Sequence, residues 1–333
     1  MKKRFLNKIE VSPVGMGCMA FSHGYGQVPP EGYGIEAIQK AYDFGCTFFD
    51  TAEGYGPPLH PMGHNEQILG KTVASFRGDV VLATKLFLSP EEYASGLEDA
   101  IRRHLAASLK NLKTDYVDLY YLHRTHAEVP VEAVAEVMGK LIADGLIRGW
   151  GLSQVDVTTL KKAHEVTPVS AVQNLYNMLE RDCEADIFPY TIENNIGVVP
   201  FSPVASGLLS GKITANTEFE KVDDVRNWVP QLSRENIIAN QPIVEMLSMY
   251  AEKKNATNAQ ISMAWMLHKY PNVVPIPGSK NQERILENLG AWNVTLTDTE
   301  FKELETALDS CKVFGHRGHV ETAGTVHVPR NET

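Results

Sequence analysis

Tyr116-Val117-Asp118-Leu119-Tyr120-Tyr121-Leu122-His123 is the stretch on which the fold turns. It is short, rich in β-branched and aromatic side chains, and apolar at almost every position before it ends in a histidine. A strand with one wet face would alternate apolar and polar residues; a nearly continuous apolar run belongs to a sheet covered on both faces. Helical patterns flank it. Residues 93–112 carry Leu97, Ile101, Leu105 and Leu109 at four-residue spacing, and residues 131–144 carry Val134, Val137, Met138 and Leu141 on one face. Gly145 follows at once and supplies a helix stop before the next apolar run. The unit is therefore strand, crossover helix, parallel strand.

The same rhythm extends in both directions. Further apolar runs lie at 14–18, 47–50, 80–85, 147–152, 169–173, 197–201 and 273–277. Further helical patterns lie at 34–44, 65–75, 157–165, 181–194, 241–254, 258–269, 281–289 and 297–309. Eight β-then-α units predict an α/β fold closed into a (β/α)8 TIM barrel. One domain over 1–333 is expected, with an N-terminal capping segment and a long loop at 202–240 after strand seven. A doubly wound open sheet is the alternative, differing by one or two strands.

Composition narrows the functional classes. The 333 residues are 43% hydrophobic and 22% charged, which suits a chain with a large core of its own. Thirty-one Lys and Arg against 41 Asp and Glu give a formal charge of −10. That balance disfavours nucleic acid and anionic membrane as partners while leaving room for one local basic pocket. Cys18, Cys46, Cys183 and Cys311 show no CxxC spacing and read as reduced thiols of a cytoplasmic protein. The basic start at Met1-Lys2-Lys3-Arg4 is not followed by the apolar core of a signal peptide. No run is long enough to span a bilayer.

In such a barrel the chemistry sits where the C-terminal ends of the strands meet. The second strand ends in Asp50 and leads through Glu53 to Tyr55. The third ends in Lys85, the fourth in His123, the fifth in Ser153-Gln154, the sixth in Gln173, the seventh in Phe201-Ser202 and the eighth in Gly278-Ser279-Lys280. Singly these read otherwise: Asp50 as a turn cap, Lys85 as an exposed strand end, His123 as a satisfied core histidine, Tyr55 as a rim aromatic. Together, at successive strand ends, they read as a site. A phenol is a weak acid at neutral pH, and an adjacent ammonium is expected to lower its pKa. A carboxylate keeps that ammonium charged, and a histidine orients a carbonyl oxygen. This set protonates an alkoxide formed from a carbonyl. No side chain donates hydride, so a nicotinamide must.

These residues resemble the aldo-keto reductase family from about Arg4 to about Leu308. Phe49-Asp50-Thr51-Ala52-Glu53-Gly54-Tyr55-Gly56, Ala83-Thr84-Lys85 and Tyr116 to His123 are similar to its three motifs. The resemblance implies Tyr55 as general acid, Asp50 and Lys85 as its tuning pair, and His123 as the residue that orients the carbonyl. It implies NADPH/NADP+ as cofactor: Ser153, Gln154 and Gln173 on the carboxamide, Phe201 against the nicotinamide, and Ser202, Gly207 and Leu208 along the pyrophosphate. The family often has Asn where this chain has Gln154. Gly278, Ser279, Lys280 and Arg284 would take the 2′-phosphate, and Glu287 and Asn288 the adenine. Lys280 and Arg284 lie four apart at the start of a helix, where free N–H groups suit a phosphate.

The function implied is reduction of aldehydes or ketones to alcohols, with a small carbonyl or alcohol as substrate. Phe21, Phe87 and Trp228 are expected to wall an aromatic pocket for an apolar or flat compound; Phe87 and Trp228 fit ordinary core packing equally well. Two rival classes are a non-catalytic nicotinamide-binding, redox-sensing subunit of a larger complex and a barrel hydrolase or isomerase. No metal site is expected. His60 and His64 sit among prolines, and Gly15-Met16-Gly17 is followed by a loop where a dinucleotide fingerprint needs a helix.

Overall fold

A hairpin comes first, β1 (Arg4–Leu6) against β2 (Ile9–Val11). Seven strands then pair in parallel and in chain order: β3 (Met16–Gly17), β4 (Phe48–Asp50), β5 (Val81–Leu86), β6 (Val117–Leu122), β7 (Ile147–Ser153), β8 (Ala171–Gln173) and β9 (Gly197–Val198). The computed structural model describes residues 3–318; the remainder of the expected 1–333 span lies outside the described residues. The structure differs from expectation at the eighth strand. Residues 273–278 are extended but form only isolated bridges, Val198 with Val273 and Gly17 with Gly278. The cause is Pro275 and Pro277, which have no N–H to offer β3. Their carbonyls still accept from Gly15 N at 2.9 Å and Gly17 N at 3.3 Å, while Val274 N and Ile276 N donate to Val198 O and Pro200 O. The barrel closes along this thin seam.

Helices cover the outside: α1 (Glu31–Asp43), α2 (His64–Val73), α3 (Pro90–Leu112), α4 (Val131–Ala143), α5 (Val157–Val166), α6 (Ile187–Glu193), α7 (Arg234–Ala239), α8 (Gln241–Lys254), α9 (Asn258–Lys269), α10 (Gln282–Leu289) and α11 (Asp298–Asp309). Their starts are written in the sequence. Ser89 with Glu92, Thr257 with Gln260 and Thr297 with Glu300 form reciprocal capping boxes. The helix expected over 181–194 is split, with a 3-10 turn at Asp182–Glu184 and the Asp186 carboxylate capping Ile187 N at 2.6 Å.

Two apolar layers result. One lies between strands and helices; the other fills the barrel with Phe48, Val81, Ala83, Leu119, Tyr121, Ala171, Val199, Val274 and Ile276. Gly151 makes room inside, since a Cβ there would meet the Tyr121 ring at 2.5 Å. Leu6 and Val11 of the hairpin join this inner layer and plug the floor. Arg4 fastens the plug by donating to the carbonyls of Leu267, Tyr270 and Val273. Cys18, Cys46, Cys183 and Cys311 are free thiols. Among the described residues no helix is long and apolar enough to cross a membrane.

Candidate active site

Side chains on a strand alternate between faces, so inward parity carries upward two residues at a time. From Phe48 it reaches Asp50; from Ala83, Lys85; from Leu119 and Tyr121, His123; from Ala171, Gln173; from Val199, Phe201; from Ile276, Gly278. The fill of the barrel therefore becomes polar at one rim, where a cavity of about 590 Å³ opens.

At its base the Lys85 ammonium is wholly buried. It donates to Asp50 Oδ1 at 2.5 Å, to Thr51 O at 2.6 Å and to the Tyr55 hydroxyl at 3.2 Å. Gln173 Nε2 donates to the other Asp50 oxygen at 2.8 Å. Burial alone would lower the lysine pKa; Asp50 and Tyr55 reverse this and hold it above the ordinary value, so the ammonium is kept. Tyr55 departs from the expected direction. Its burial raises the phenol pKa by more than the Lys85 charge lowers it. The phenol therefore carries its proton at neutral pH, while Lys85 stands ready to stabilise the phenolate. Gly56 fixes this loop, since a Cβ there would sit 2.0 Å from Pro61 O. His123 is held well below its ordinary value by burial and by the charges of Arg124 and Lys85, so the ring is neutral. Its Nδ1 is buried without a hydrogen-bond partner, its ring stands edge-on to Tyr55 at 5.7 Å, and Phe87 stacks on it at 4.3 Å.

From this base the cavity runs past Ser153, Phe201, Ser202 and Gly207 to Gly278, Ser279, Lys280, Arg284, Glu287 and Asn288. Ser202, Ala205 and Ser206 all adopt positive φ, and the buried Ser206 Oγ lacks a partner. Strained backbone with an unsatisfied hydroxyl facing a cleft fits a bound phosphate group. The Lys280 ammonium is already engaged by Tyr25 O at 2.8 Å and Gln27 O at 2.6 Å. It straps the loop after β3 to the mouth, and it lines the cavity together with Arg284. That strap is extended where Gly24 N donates to the Asp223 carboxylate at 2.6 Å and Val225 N to Gly24 O at 3.0 Å. The loop 202–240 thus crosses the cavity and ties to the opposite wall.

Several expected positions lie elsewhere. Gln154 turns its amide oxygen to Leu175 N, and Leu208 is buried in the core; neither lines the cavity. Phe21 is buried on a 3-10 turn, Met19–Phe21, with its ring against the backbone of Gly34 in α1. Trp228 is 83% exposed on the outer side of its loop. The expected aromatic wall is reduced to Phe87 behind His123. Beside the aromatic Tyr25 and Phe201, the cavity is lined there by His23, whose ring lies 5.4 Å from Tyr55, with Met19, Arg124 and Arg317. Arg124 was legible as the neighbour of His123; Arg317 lies in a polar tail without periodicity and gave no signal.

A (β/α)8 barrel with buried Asp, Lys and Tyr at its C-terminal rim defines a class of barrel oxidoreductases. The profile of the Aldo/keto reductase family matches residues 13–309, and the chain belongs to that family. A Glycine max protein named "Probable aldo-keto reductase 1" is 34% identical over 92% of this chain and 88% of its own length. The glycerol dehydrogenase of Gluconobacter oxydans superposes with a TM-score of 0.81 at 27% identity, over 92% of this chain and 94% of its own. An aldo/keto reductase of Klebsiella pneumoniae, solved with NADP and acetate, superposes with a TM-score of 0.72 at 26% identity, over 95% and 98%. Membership places the chain among the oxidoreductases.

Proposed function

We propose that this chain is an NADPH-dependent reductase of aldehydes or ketones, with Tyr55 as general acid. The carrying observation is the Tyr55 hydroxyl 3.2 Å from the buried Lys85 amine at the base of the cavity. The length of that cavity suits an extended dinucleotide, with Ser153 and Gln173 near the phenol and Arg284, Glu287 and Asn288 at the far end. The nicotinamide, when bound, supplies the hydride. His123, neutral, donates one N–H to the substrate oxygen and holds it beside Tyr55. Tyr55 passes its proton to that oxygen as negative charge develops there. Lys85 bears the resulting phenolate, and Asp50 keeps Lys85 charged and placed. Solvent then returns a proton to Tyr55.

The test is oxidation of NADPH with a panel of aldehydes, alongside Tyr55→Phe. General acid catalysis of this kind contributes roughly 10²- to 10⁴-fold, so the variant should lose about that much in kcat while still quenching its fluorescence with NADPH. Equal turnover in both proteins removes the assigned role of the phenol.

A further inference from the structure

We propose that the substrate carries an anionic group, a carboxylate or phosphate, which Arg124 and Arg317 receive beside the reacting carbonyl. This rests on the reductase reading and adds the substrate class to it. Both guanidinium groups line the cavity. Arg124 Nη1 donates to His123 O at 2.6 Å and to Ser153 Oγ at 2.9 Å; Arg317 Nε donates to Ser202 Oγ at 2.9 Å. Among the described residues neither pairs with a carboxylate within 4 Å, although nearly every other half-buried arginine does: Arg77 with Asp118, Arg181 with Glu184 and Glu305, Arg226 with Asp224. Arg4 is the exception, spent on carbonyls at the floor. A buried cation without a counterion is costly unless a ligand supplies the charge.

Their place in the cavity decides which anion. Arg124 is close enough to Tyr55 for their charges to interact, and to Arg317 for theirs to repel. The far end has its own cations, Lys280 and Arg284. Arg124 therefore flanks the phenol and the neutral His123, where substrate sits, and Arg317, held on Ser202, stands near enough to Arg124 to share its anion. Two guanidinium forks with donors to spare match the oxygens of one carboxylate or phosphate. Arg124, Arg317 and His23 line the cavity, where Phe21, Phe87 and Trp228 had been expected.

The experiment compares 4-carboxybenzaldehyde with its uncharged methyl ester, each reduced with NADPH. Hydrogen bonds to charged groups are strong enough that the carboxylate should be favoured about ten- to hundredfold in kcat/KM. In Arg317→Met and Arg124→Met that ratio should fall at least about tenfold, and Arg317→Lys should restore part of it. An unchanged ratio with a raised KM for NADPH would overturn the proposal and assign the pair to the cofactor diphosphate. If neither aldehyde turns over, the reductase reading falls on its own, and calorimetric binding of benzoate against benzamide still decides the anion site. Benzoate bound no better than benzamide, or equally by wild type and Arg317→Met, would overturn it. Should Arg124→Met fail to fold, the half-exposed Arg317 carries the comparison.

Discussion

Lys85 Nζ and the Asp50 carboxylate lie 2.5 Å apart, both buried, with the Tyr55 hydroxyl 3.2 Å from the same nitrogen. The pair is a structural and a chemical unit at once. Lys85→Met leaves a carboxylate buried without its counterion, a loss of roughly 3–5 kcal/mol in unfolding free energy. Adding Asp50→Asn should restore much of that stability, because the uncompensated charge is gone. Activity should return in neither protein. Denaturant unfolding and NADPH-linked turnover on wild type and the two variants separate the two roles; recovery of turnover in the double variant would show that the ammonium is dispensable.

His104 gives stability a pH dependence on the alkaline side. Its Nδ1 lies 2.8 Å from Glu53 and its Nε2 2.9 Å from Glu92, and Glu53, with some help from Glu92, raises its pKa to about 9. A folded-state pKa above the unfolded value of about 6.5 contributes stability that is complete below that value and lost as pH rises through about 9. The contribution is on the order of 2 to 3 kcal/mol. Thermal melts of wild type should decline across that window, and His104→Gln should be lower at neutral pH and flat across it. Parallel declines in both proteins would place the titrating group elsewhere. Glu53 also accepts from Phe87 N at 2.9 Å, so loosening this cluster should raise KM as well.

The pairing of the 202–240 loop with the opposite wall predicts a slow cofactor off-rate. Asp223→Ala removes the acceptor of Gly24 N and should speed NADPH dissociation severalfold, with faster amide exchange at Gly24 and Val225. Stopped-flow fluorescence reads the first and mass spectrometry the second. An unchanged dissociation rate with increased exchange would mean that the strap does not hold the cofactor.

Phe21 and Trp228 were expected to share a wall, and the structure sends them in opposite directions. Phe21→Ala should cost about 3–5 kcal/mol, as a large cavity in the core does. Trp228→Ala should stay within about 0.5 kcal/mol of wild type and keep its turnover. Chemical denaturation of the two proteins checks both values.

These residues also show what the sequence could and could not carry. The strand ends were legible because inward parity is fixed by period two, and that placed Asp50, Lys85, His123, Gln173 and Phe201 at one rim. The thin seam at 273–278 was legible as an apolar run, but the loss of its ladder depends on which neighbour Pro275 and Pro277 would have served. The spacing of Lys280 and Arg284 showed that the two can face one side of the mouth; it does not show that Lys280 also bonds the Tyr25 and Gln27 carbonyls. Burial set the direction of the Tyr55 pKa, and burial of a loop residue is a property of everything packed around it. Arg317 reaches the site through Ser202, 115 residues away, and no local pattern records such a contact.

The floor plug has a consequence for synthesis on the ribosome. Arg4 finds its acceptors at Leu267, Tyr270 and Val273, at least 263 residues further along the chain, and β3 finds its second neighbour at Gly278. Earlier strands can pair as they emerge, yet the cylinder cannot shut until residues 267–278 have been translated. Until then an apolar interior and two open sheet edges stand exposed, and nascent chains arrested before that point should be the form that chaperones retain.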